Sequence, residues 1–549
     1  MKSTRRHGSA NSFYMLAVGS LVLLGMLAYM LLSGQRRPIV THEPSTGRDA
    51  SQEGETPQSK ELFVYCAAGM RYAMEKVRAQ YEEEMGVLVR LQYGGSNTLL
   101  NQLEVNQTGD LYLAGDESYI RLAQEKGLAV EAIPMALMKP VIAVPVDNPK
   151  NILTIDDLLR EDVKVALGDP GAAAIGKKCK RLLSASGQWR QLEEQVTKSG
   201  VFKPTVNDVA NAIKLGSVDA GVIWDSTVAQ YSELKPVAAP ELDAGLATIE
   251  IAVVKNSKNP TAALTFARYL TARDKGQEIF RATGFEVLDG DQWSETPEIT
   301  FFAGAVNRAA LEPVIKEFER REGVIVNTRF DGCGILTSTM RGIRSGQAGS
   351  FPDVYMACDV YYLNVVEELF QDAVNISDTD IVAVTQKGNP KAIKSVKDLA
   401  KPGVRVVLGQ PEKCTIGILS KRLLESEGLS YESLNSTGNL VNQTTSSALL
   451  VPQIATGAAD VVLAYRTDTR SEASRLDIVE LDSHLAKAIQ PFSVARSSEY
   501  KQLGHRLYET IARSRDRFES RGFNWRLDDA DLQTRYQGND AAPAKNTLE

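Results

Sequence analysis

The stretch LTIDDLLREDVKVALGDPGAAAIGKKCKRLLSASG (residues 153–187) returns in altered form as KSVKDLAKPGVRVVLGQPEKCTIGILSKRLLESEG (residues 394–428). Residues of the first stretch have their counterparts 241 positions later, as Gly168 has in Gly409. Further upstream the offset falls only slightly, to 237. A repeat this long is unlike that of a solenoid, whose units span roughly 20–50 residues. The chain therefore contains two copies of a domain of about 230 residues, each large enough for two lobes with their own cores.

The composition excludes several classes of protein. The 549 residues carry a formal net charge of −7 with acidic and basic residues interspersed, and no basic patch alternates with aromatic residues as on a nucleic-acid-binding surface. The four histidines form no HExxH or HxH pattern, which argues against a histidine-built metal site. We find no phosphate-binding loop, no GxSxG and no cofactor motif. We therefore expect a protein that is not an enzyme, without cofactor or metal, and without a nucleic-acid partner.

The N-terminal region has the pattern of a membrane anchor. Residues 13–32 (FYMLAVGSLVLLGMLAYMLL) carry no charge over 20 positions, about the length of helix that spans a bilayer. Basic residues precede the run, and neither an AxA-like cleavage site nor a lipid-accepting cysteine follows it. We predict that residues 1–37 are an uncleaved anchor and that the bulk of the chain is extracytoplasmic, on the periplasmic side. Residues 38–60 are rich in Pro, Ser and Glu and are expected to form a disordered tether.

Strand-like and helix-like segments alternate through the first copy. ELFVYCAAG (61–69) is typical of a strand, and the segment that follows it is typical of a helix closed by Gly86. Further strands are predicted at 87–96, 110–116, 140–146, 163–171, 219–225 and 248–255. Such alternation indicates a largely parallel sheet with helices on both faces. Ligands of such sheets bind beyond the carboxyl ends of the strands.

Small residues follow three of these strands where a helix begins. Gly69 lies at the first junction, Ser96 at the second after two glycines, and GDPGAAAIG (168–176) at the third. The N–H groups of a first helical turn lack partners and carry partial positive charge, so small residues there let an anion approach the backbone. The pattern is compatible with an oxyanion site that uses no Arg or Lys. It is equally compatible with glycines and serines that only form turns and helix caps.

Five motifs in this order carry a family resemblance: AAGMRYAM (67–74), QYGGSNTLLNQL (92–103), GDLYLAGD (109–116), GDPGAAAIG (168–176) and DAGVIWDSTVA (219–229). Their order and spacing resemble those of the periplasmic molybdate/tungstate-binding proteins of ABC importers, which are type II solute-binding proteins. The resemblance implies a small oxyanion as ligand and an ABC transporter permease as partner. It also implies that the protein binds its ligand by closure of two lobes about a hinge.

The resemblance and the repeat together predict the organisation of the chain. The fold class is α/β, with two tandem periplasmic-binding-protein (type II) units, each of two α/β lobes with a hinge, preceded by one N-terminal transmembrane helix. Unit 1 is predicted to span residues 61–296 and unit 2 residues 297–526. The remaining residues, 527–549, are polar and are expected to form a frayed C-terminal tail.

The resemblance also assigns five ligand-contact positions to each unit. They are Gly69, Ser96, Ile175, Val209 and Trp224 in unit 1, and Ala305, Cys333, Ile416, Leu450 and Tyr465 in unit 2. The family's first serine is absent from both units, its second serine is a cysteine in unit 2, and its tyrosine is a tryptophan in unit 1. One lost donor in a dehydrated anion site is worth about 1.5–3 kcal/mol. The alternative is therefore a ligand sensor or partner-binding protein on the same fold, with a changed ligand or one inactive unit.

Cysteines are concentrated in the strand-end loops of unit 2. Cys333, Cys358 and Cys414 lie in DGCG, YMACD and PEKCTIG. Three thiols at one cleft could bind a soft metal or react, and Cys333 could form a disulfide with Cys358. They could also be small apolar residues in tight turns. The odd total of five leaves at least one thiol without an intrachain partner.

Overall fold

The computed structural model describes residues 61–528. The predicted anchor at 13–32, the tether at 38–60 and nearly all of the tail at 527–549 lie outside the described residues. Within 61–528, no helix combines the length and apolar character needed to cross a bilayer.

Unit 1 alternates strands and helices from its first residue. Its strands are β1 (Glu61–Ala67), β2 (Leu88–Gly94), β3 (Leu111–Ala114), β4 (Ala129–Met138), β5 (Pro140–Pro145), β6 (Val165–Gly168), β7 (Val201–Lys203), β8 (Ala220–Trp224), β9 (Leu234–Val237), β10 (Ala247–Val254) and β11 (Glu286–Val287). Its helices are α1 (Arg71–Met85), α2 (Ser96–Asn106), α3 (Glu117–Glu125), α4 (Ala174–Ala185), α5 (Trp189–Ser199), α6 (Val206–Lys214), α7 (Asp225–Val228), α8 (Pro260–Thr271) and α9 (Gly276–Ala282).

The strands of unit 1 form two sheets, one in each lobe. The first lobe has the order β11-β4-β10-β3-β1-β2, and the second has β7-β6-β8-β5-β9. The chain passes from the first lobe to the second at Lys139 and returns just before β10. Strands β1, β2 and β3 are parallel, whereas β10 runs antiparallel to β3 and β4, so the sheet is mixed. Strand β4 was not predicted from the sequence, because Pro134 interrupts its strand-like pattern. In the structure Pro134 lies where the register between β4 and β10 shifts.

Unit 2 repeats this order. Its strands are β12 (Glu298–Gly304), β13 (Ile325–Asp331), β14 (Val354–Met356), β15 (Phe370–Gln386), β16 (Val406–Gly409), β17 (Leu440–Thr444), β18 (Val461–Tyr465), β19 (Leu476–Val479), β20 (Lys487–Ala495) and β21 (Asn524–Trp525). Its helices are α10 (Arg308–Glu322), α11 (Cys333–Arg344), α12 (Val360–Asn364), α13 (Thr415–Ser426), α14 (Tyr431–Ser436), α15 (Val451–Ala455), α16 (Lys501–Ala512) and α17 (Arg515–Glu519).

The sheets of unit 2 are joined by one long strand. β15 takes the places of both β4 and β5, so that the strands connect in the order β13-β12-β14-β20-β15-β18-β16-β17. Equivalent strands pair in equivalent register, as Glu61 opposite Leu88 corresponds to Glu298 opposite Ile325. The prediction of two tandem α/β units is therefore confirmed.

The two units belong to one compact body and contact each other through buried charges. Glu322, at the end of α10, accepts hydrogen bonds from Arg506 at 2.8 Å and from Arg268 of unit 1 at 3.2 Å, and all three side chains are buried. Burial alone would raise the pKa of Glu322, but the two guanidinium groups hold it below its usual value. Nearby, Arg321 binds Glu131 of unit 1 through two hydrogen bonds of 2.9 Å.

We predict that Glu322→Gln lowers the free energy of unfolding by about 3–5 kcal/mol, because it leaves two buried arginines without a counter-charge. Chemical denaturation at neutral pH measures the difference. Since the pKa of folded Glu322 is lowered, its stabilisation is present above the ordinary glutamate pKa of about 4.3 and is lost as the pH falls below that value.

The matched control is Glu312→Gln on the same helix, which removes an exposed ion pair with Arg308. We expect it to change stability by no more than about 1 kcal/mol. If the two variants are equally stable, the buried network does not hold the units together.

Candidate functional site

A small cavity lies between the two lobes of unit 1, and we call it cavity 1. Its volume is about 20 Å³, more than the roughly 10–15 Å³ needed to hold one water molecule. It is lined by Ala67, Ala68, Gly69, Met70, Gly94, Gly95, Ser96, Gly115, Met138, Ala173, Ala174, Ile175, Thr205, Val206 and Trp224. None of these side chains is ionisable, so the polar groups around the cavity are hydroxyls, the indole N–H and the backbone.

Two long helices, one from each lobe, begin at cavity 1 without a side-chain cap. The N-cap residues are Gly95 for α2 and Ala173 for α4, neither of which can cap through its side chain. By contrast, α3 is capped by Asp116 and α6 by Thr205. The first-turn N–H groups of α2 and α4 therefore present partial positive charge to the cavity from both lobes.

Ser96 supplies a hydroxyl at the floor of cavity 1. Its Oγ accepts a hydrogen bond from the Gly115 N–H at 3.1 Å, and the residue is buried. The Tyr112 hydroxyl donates to the Ser96 carbonyl at 2.8 Å and fixes the backbone there. With its acceptor role filled by Gly115, the Ser96 hydroxyl can direct its proton toward a ligand.

The lobes of unit 1 touch across the mouth of cavity 1. The Asn97 N–H donates to the Ala172 carbonyl at 3.0 Å, and the Asn97 side-chain amide donates to the Gly171 carbonyl at 2.7 Å. Gly95 allows this approach, because a Cβ there would lie 2.5 Å from the Ala172 oxygen and 2.6 Å from the Pro204 oxygen. The structure therefore shows unit 1 with its cleft closed.

A buried ion pair joins the lobes beside the cavity. Lys178 of α4 contacts Asp116 of the first lobe, lies 3.7 Å from Glu117, and donates to the Leu246 carbonyl at the return crossing at 3.4 Å. Burial would raise the pKa of Asp116, but the Lys178 ammonium holds it below its usual value. The ion pair therefore links both lobes at the side where the chain returns to the first lobe.

Unit 2 has no such ion pair at the equivalent place. Its carboxylate is Asp359, and the position of Lys178 is taken by Leu419. Burial raises the pKa of Asp359 to about 6, and its oxygens accept instead from the backbone N–H groups of Tyr361 and Ile489. The means of holding the cleft closed therefore differs between the units.

Unit 2 has a smaller cavity at the equivalent place, which we call cavity 2. Its volume is about 10 Å³, and it is lined by Ala305, Gly332, Cys358, Cys414, Thr415, Ile416, Ser446, Ser447 and Tyr465. Helices α11 and α13 begin here without a side-chain cap, as α2 and α4 do in unit 1. The Tyr465 hydroxyl is fully buried and has no hydrogen-bond partner among the described residues. A buried hydroxyl without a partner is unfavourable unless a ligand or water satisfies it.

Most of the predicted contact residues meet at these two cavities. Those that line them are Gly69, Ser96, Ile175 and Trp224 in cavity 1, and Ala305, Ile416 and Tyr465 in cavity 2. Cys333 is fully buried behind cavity 2 against Cys358. Val209 and Leu450 are also buried away from the cavities, and their N–H groups donate within their own helical turns, to the carbonyls of Thr205 and Ser447. For all ten residues, a role in ligand binding stays a prediction.

Two hydroxyl positions were missed in the sequence. Thr205 lines cavity 1, where its hydroxyl donates to Asp208 at 2.6 Å and accepts from the Asp208 N–H at 3.2 Å. Its counterpart at cavity 2 is Ser446. The T-x-x-D pattern of a helix start was the signal that could have identified Thr205.

Within the described residues, no three His, Cys, Asp or Glu side chains are arranged to hold a metal ion. The five cysteines are free thiols in this structure. Burial raises the pKa of the Cys179 thiol to about 12 and that of Cys414 to about 11, so neither is a reactive thiolate near neutral pH.

We predict that Gly95→Ala prevents full closure of unit 1, because its methyl group would overlap two backbone carbonyls of the opposite lobe. Small-angle X-ray scattering should show a larger radius of gyration than for the unaltered protein. Gly94→Ala is the control, since its methyl group would meet only the flexible Leu99 side chain of the same lobe, at 3.1 Å. Equal scattering from Gly95→Ala and the unaltered protein would show that the contact does not limit closure.

Known proteins match each unit separately. The profile of the bacterial extracellular solute-binding protein family matches residues 62–286 and again 299–524. A binding protein of Haemophilus influenzae is 29% identical over 233 residues, which are 42% of this chain and 91% of that protein. The molybdate-binding protein ModA of Mycobacterium tuberculosis is 26% identical over 265 residues, which are 48% of this chain and 96% of ModA.

Among solved structures, the periplasmic molybdate-binding protein of Azotobacter vinelandii is similar, with a TM-score of 0.36 and 17% identity. The similarity covers 41% of this chain and 98% of that one. The two successive profile matches together take in most of the chain. The chain therefore belongs to the bacterial extracellular solute-binding protein family.

Proposed function

We propose that this protein captures a small tetrahedral oxyanion of the molybdate or tungstate type and presents it to the permease of an ABC importer. It does so on the extracytoplasmic (periplasmic) side, held to the membrane by its N-terminal helix. The names of the relatives support this ligand class, since several are molybdate-binding proteins and one is a sulfate-binding protein. The observation that carries the proposal is the pair of uncapped helix N-termini that face each other across cavity 1.

Cavity 1 suits an oxyanion because its donors are neutral and fixed. Backbone N–H groups of α2 and α4 and the Ser96 hydroxyl can replace water around the anion without the long flexible side chains of Arg or Lys. Such hydrogen bonds to a charged group are worth about 1.5–3 kcal/mol each. Apolar walls formed by residues such as Met138 and Val206 exclude water and strengthen these interactions.

The same lining argues against catalysis. The side chains around cavity 1 include no acid, base or nucleophile–histidine pair, so a bound anion meets no group able to transfer a proton or attack it. Binding followed by release is the process that these residues support. Closure of the lobes about the crossing at Lys139 would enclose the anion, and opening would release it.

A second candidate function is favoured by unit 2. Its cavity is half the volume of cavity 1. Cys358 lines it in place of Gly115, and Cys333, in place of Ser96, is buried behind it. These changes fit a unit that senses or binds a different ligand while unit 1 captures the oxyanion. The unpartnered Tyr465 hydroxyl argues that cavity 2 has kept a ligand of some kind.

Isothermal titration of the purified protein with molybdate, tungstate, sulfate and phosphate tests the proposal. We expect two sites of unequal affinity for molybdate or tungstate. Ser96→Ala should weaken one site and Tyr465→Phe the other, each by roughly 10- to 100-fold, because each removes one hydroxyl donor. Tyr508→Phe, in α16, should leave both sites unchanged, because Tyr508 lines neither cavity. Absence of heat with all four anions would make the proposed ligand class wrong.

We further predict that Lys178→Met weakens oxyanion binding at unit 1 alone, by about 10-fold or more, because the closed state loses its inter-lobe ion pair. The same titration measures the effect. Lys180→Met is the matched control, since Lys180 lies on the same helix but is half-exposed and 3.9 Å from its partner Glu193. If the two variants bind alike, the Lys178 contact does not favour closure.

A further inference from the structure

Two thiols are in contact at cavity 2: Cys358 lines it, and Cys333 lies behind it. Cys333 Sγ lies 2.7 Å from Cys358 Sγ and also accepts a hydrogen bond from the Cys358 N–H at 3.0 Å. In unit 1 the Ser96 hydroxyl accepts from the Gly115 N–H in the same way. The backbone arrangement is thus the same in both units, and unit 2 has added sulfur at both positions.

A compensating change makes room for these sulfurs. The first strand of unit 2 ends in Gly304, where unit 1 has Ala67. A methyl group at Gly304 would overlap Cys358 Sγ and would lie 2.9 Å from Cys333 Sγ. Because Gly304 has no methyl group, the two thiols fit side by side in unit 2 without a steric clash.

We propose that Cys333 and Cys358 form a reversible disulfide, so that the oxidation state of unit 2 controls the hydrogen-bond donors at cavity 2. Each reduced thiol carries an S–H group, and in the disulfide neither does. The consequence for anion capture rests on the function proposed above. Formation of the disulfide itself does not depend on the proposed function.

The oxidant is a disulfide of a small thiol or of a thiol–disulfide oxidoreductase. The Cys358 thiolate, which lines the cavity, attacks one sulfur of this disulfide and releases one thiolate. The Cys333 thiolate then attacks the Cys358 sulfur and releases the second thiolate. The two released thiolates take up the two protons that the cysteines lost, and two electrons pass to the oxidant. Cys358 is buried in the closed unit, so we expect the exchange to take place when the cleft opens. Burial also raises the pKa of its thiol well above the ordinary value.

Cys414 is not the expected partner. Its Sγ is directed to the carbonyl oxygens of Gln410 and Thr444, at 3.5 and 3.6 Å. Its counterpart in unit 1 is Ala173, which shows that the position tolerates a methyl group. Cys414→Ala is therefore a matched control that should leave the disulfide intact.

The test is a thiol count on the full chain after incubation with oxidised glutathione, followed by alkylation under denaturing conditions and peptide mass spectrometry. Of the five cysteines, we expect three to remain alkylatable, with the peptides of Cys333 and Cys358 linked to each other. Dithiothreitol should restore all five. Cys414→Ala should also form the linked peptides, whereas Cys333→Ser and Cys358→Gly, which restore the residues of unit 1, should form no internal disulfide. Linkage through Cys414, or five alkylated cysteines in the oxidised wild-type chain, would overturn the proposal, and neither readout depends on a variant that folds.

Titration of the oxidised and reduced forms with molybdate tests the functional consequence. We expect oxidation to weaken the Tyr465-dependent site about tenfold or more and to leave the Ser96-dependent site unchanged. If the disulfide forms and both sites bind equally well, the thiols do not control cavity 2. If the disulfide forms and neither form binds any oxyanion, the proposed function is wrong and the disulfide stands.

Discussion

The buried carboxylate of Glu322 is the contact on which the arrangement of the two units depends. It lies near the end of α10 in unit 2, and Arg268 of unit 1 binds both its side chain and its backbone carbonyl, at 3.2 and 2.5 Å. A cation at the C-terminal end of a helix is also favoured by the helix dipole. Since Arg506 completes the network from α16, the first lobes of both units form one common base. Ligand-driven closure is then a movement of each second lobe against that base, and each cleft can close by itself.

The two cavities show which parts of the proposed anion site differ between the two copies. In both units, uncapped helix N-termini supply backbone donors, which survive any substitution except proline. The side chains have diverged around them, from Ser96 to Cys333 and from Trp224 to Tyr465. One hydrogen bond is the same in both units. The Gly115 N–H donates to Ser96 Oγ in unit 1, and the Cys358 N–H donates to Cys333 Sγ in unit 2. We expect this combination, in which the backbone donors stay and the side chains change, when two copies of a domain bind different ligands or are regulated differently.

Much of the fold and of cavity 1 could be predicted from the sequence, and the features that could not be predicted have physical causes. The repeat and the strand–glycine–helix junctions predicted two α/β units and pointed to Gly69 and Ser96, and the family resemblance added Ile175; all three line cavity 1. Those positions follow from local backbone rules. Val209 does not line cavity 1, because the rotation of its helix decides which residue faces the cavity and the sequence does not fix that rotation. Its role in ligand binding stays a prediction. The Lys178 ion pair could not be predicted, since it joins two lobes only when they close.

The hinge shows a second kind of divergence, in which two equivalent positions carry opposite charges in the two units. Unit 1 crosses between lobes at Lys139, whose N–H donates to the Asp225 carboxylate at 3.0 Å. The counterparts in unit 2 are Asp380 and Arg466, which form an ion pair of 3.3 Å with the signs reversed. There the crossing lies within the continuous strand β15, and Lys487 bridges Asp380 to a neighbouring buried carboxylate. In unit 1 the Asp225 N–H also donates to the Lys139 carbonyl at 2.9 Å, so its crossing is held by contacts with the backbone, whereas that of unit 2 has side-chain ion pairs on an unbroken strand. We therefore expect the crossing of unit 1 to bend more readily than that of unit 2, whose paired thiols lie in the same unit.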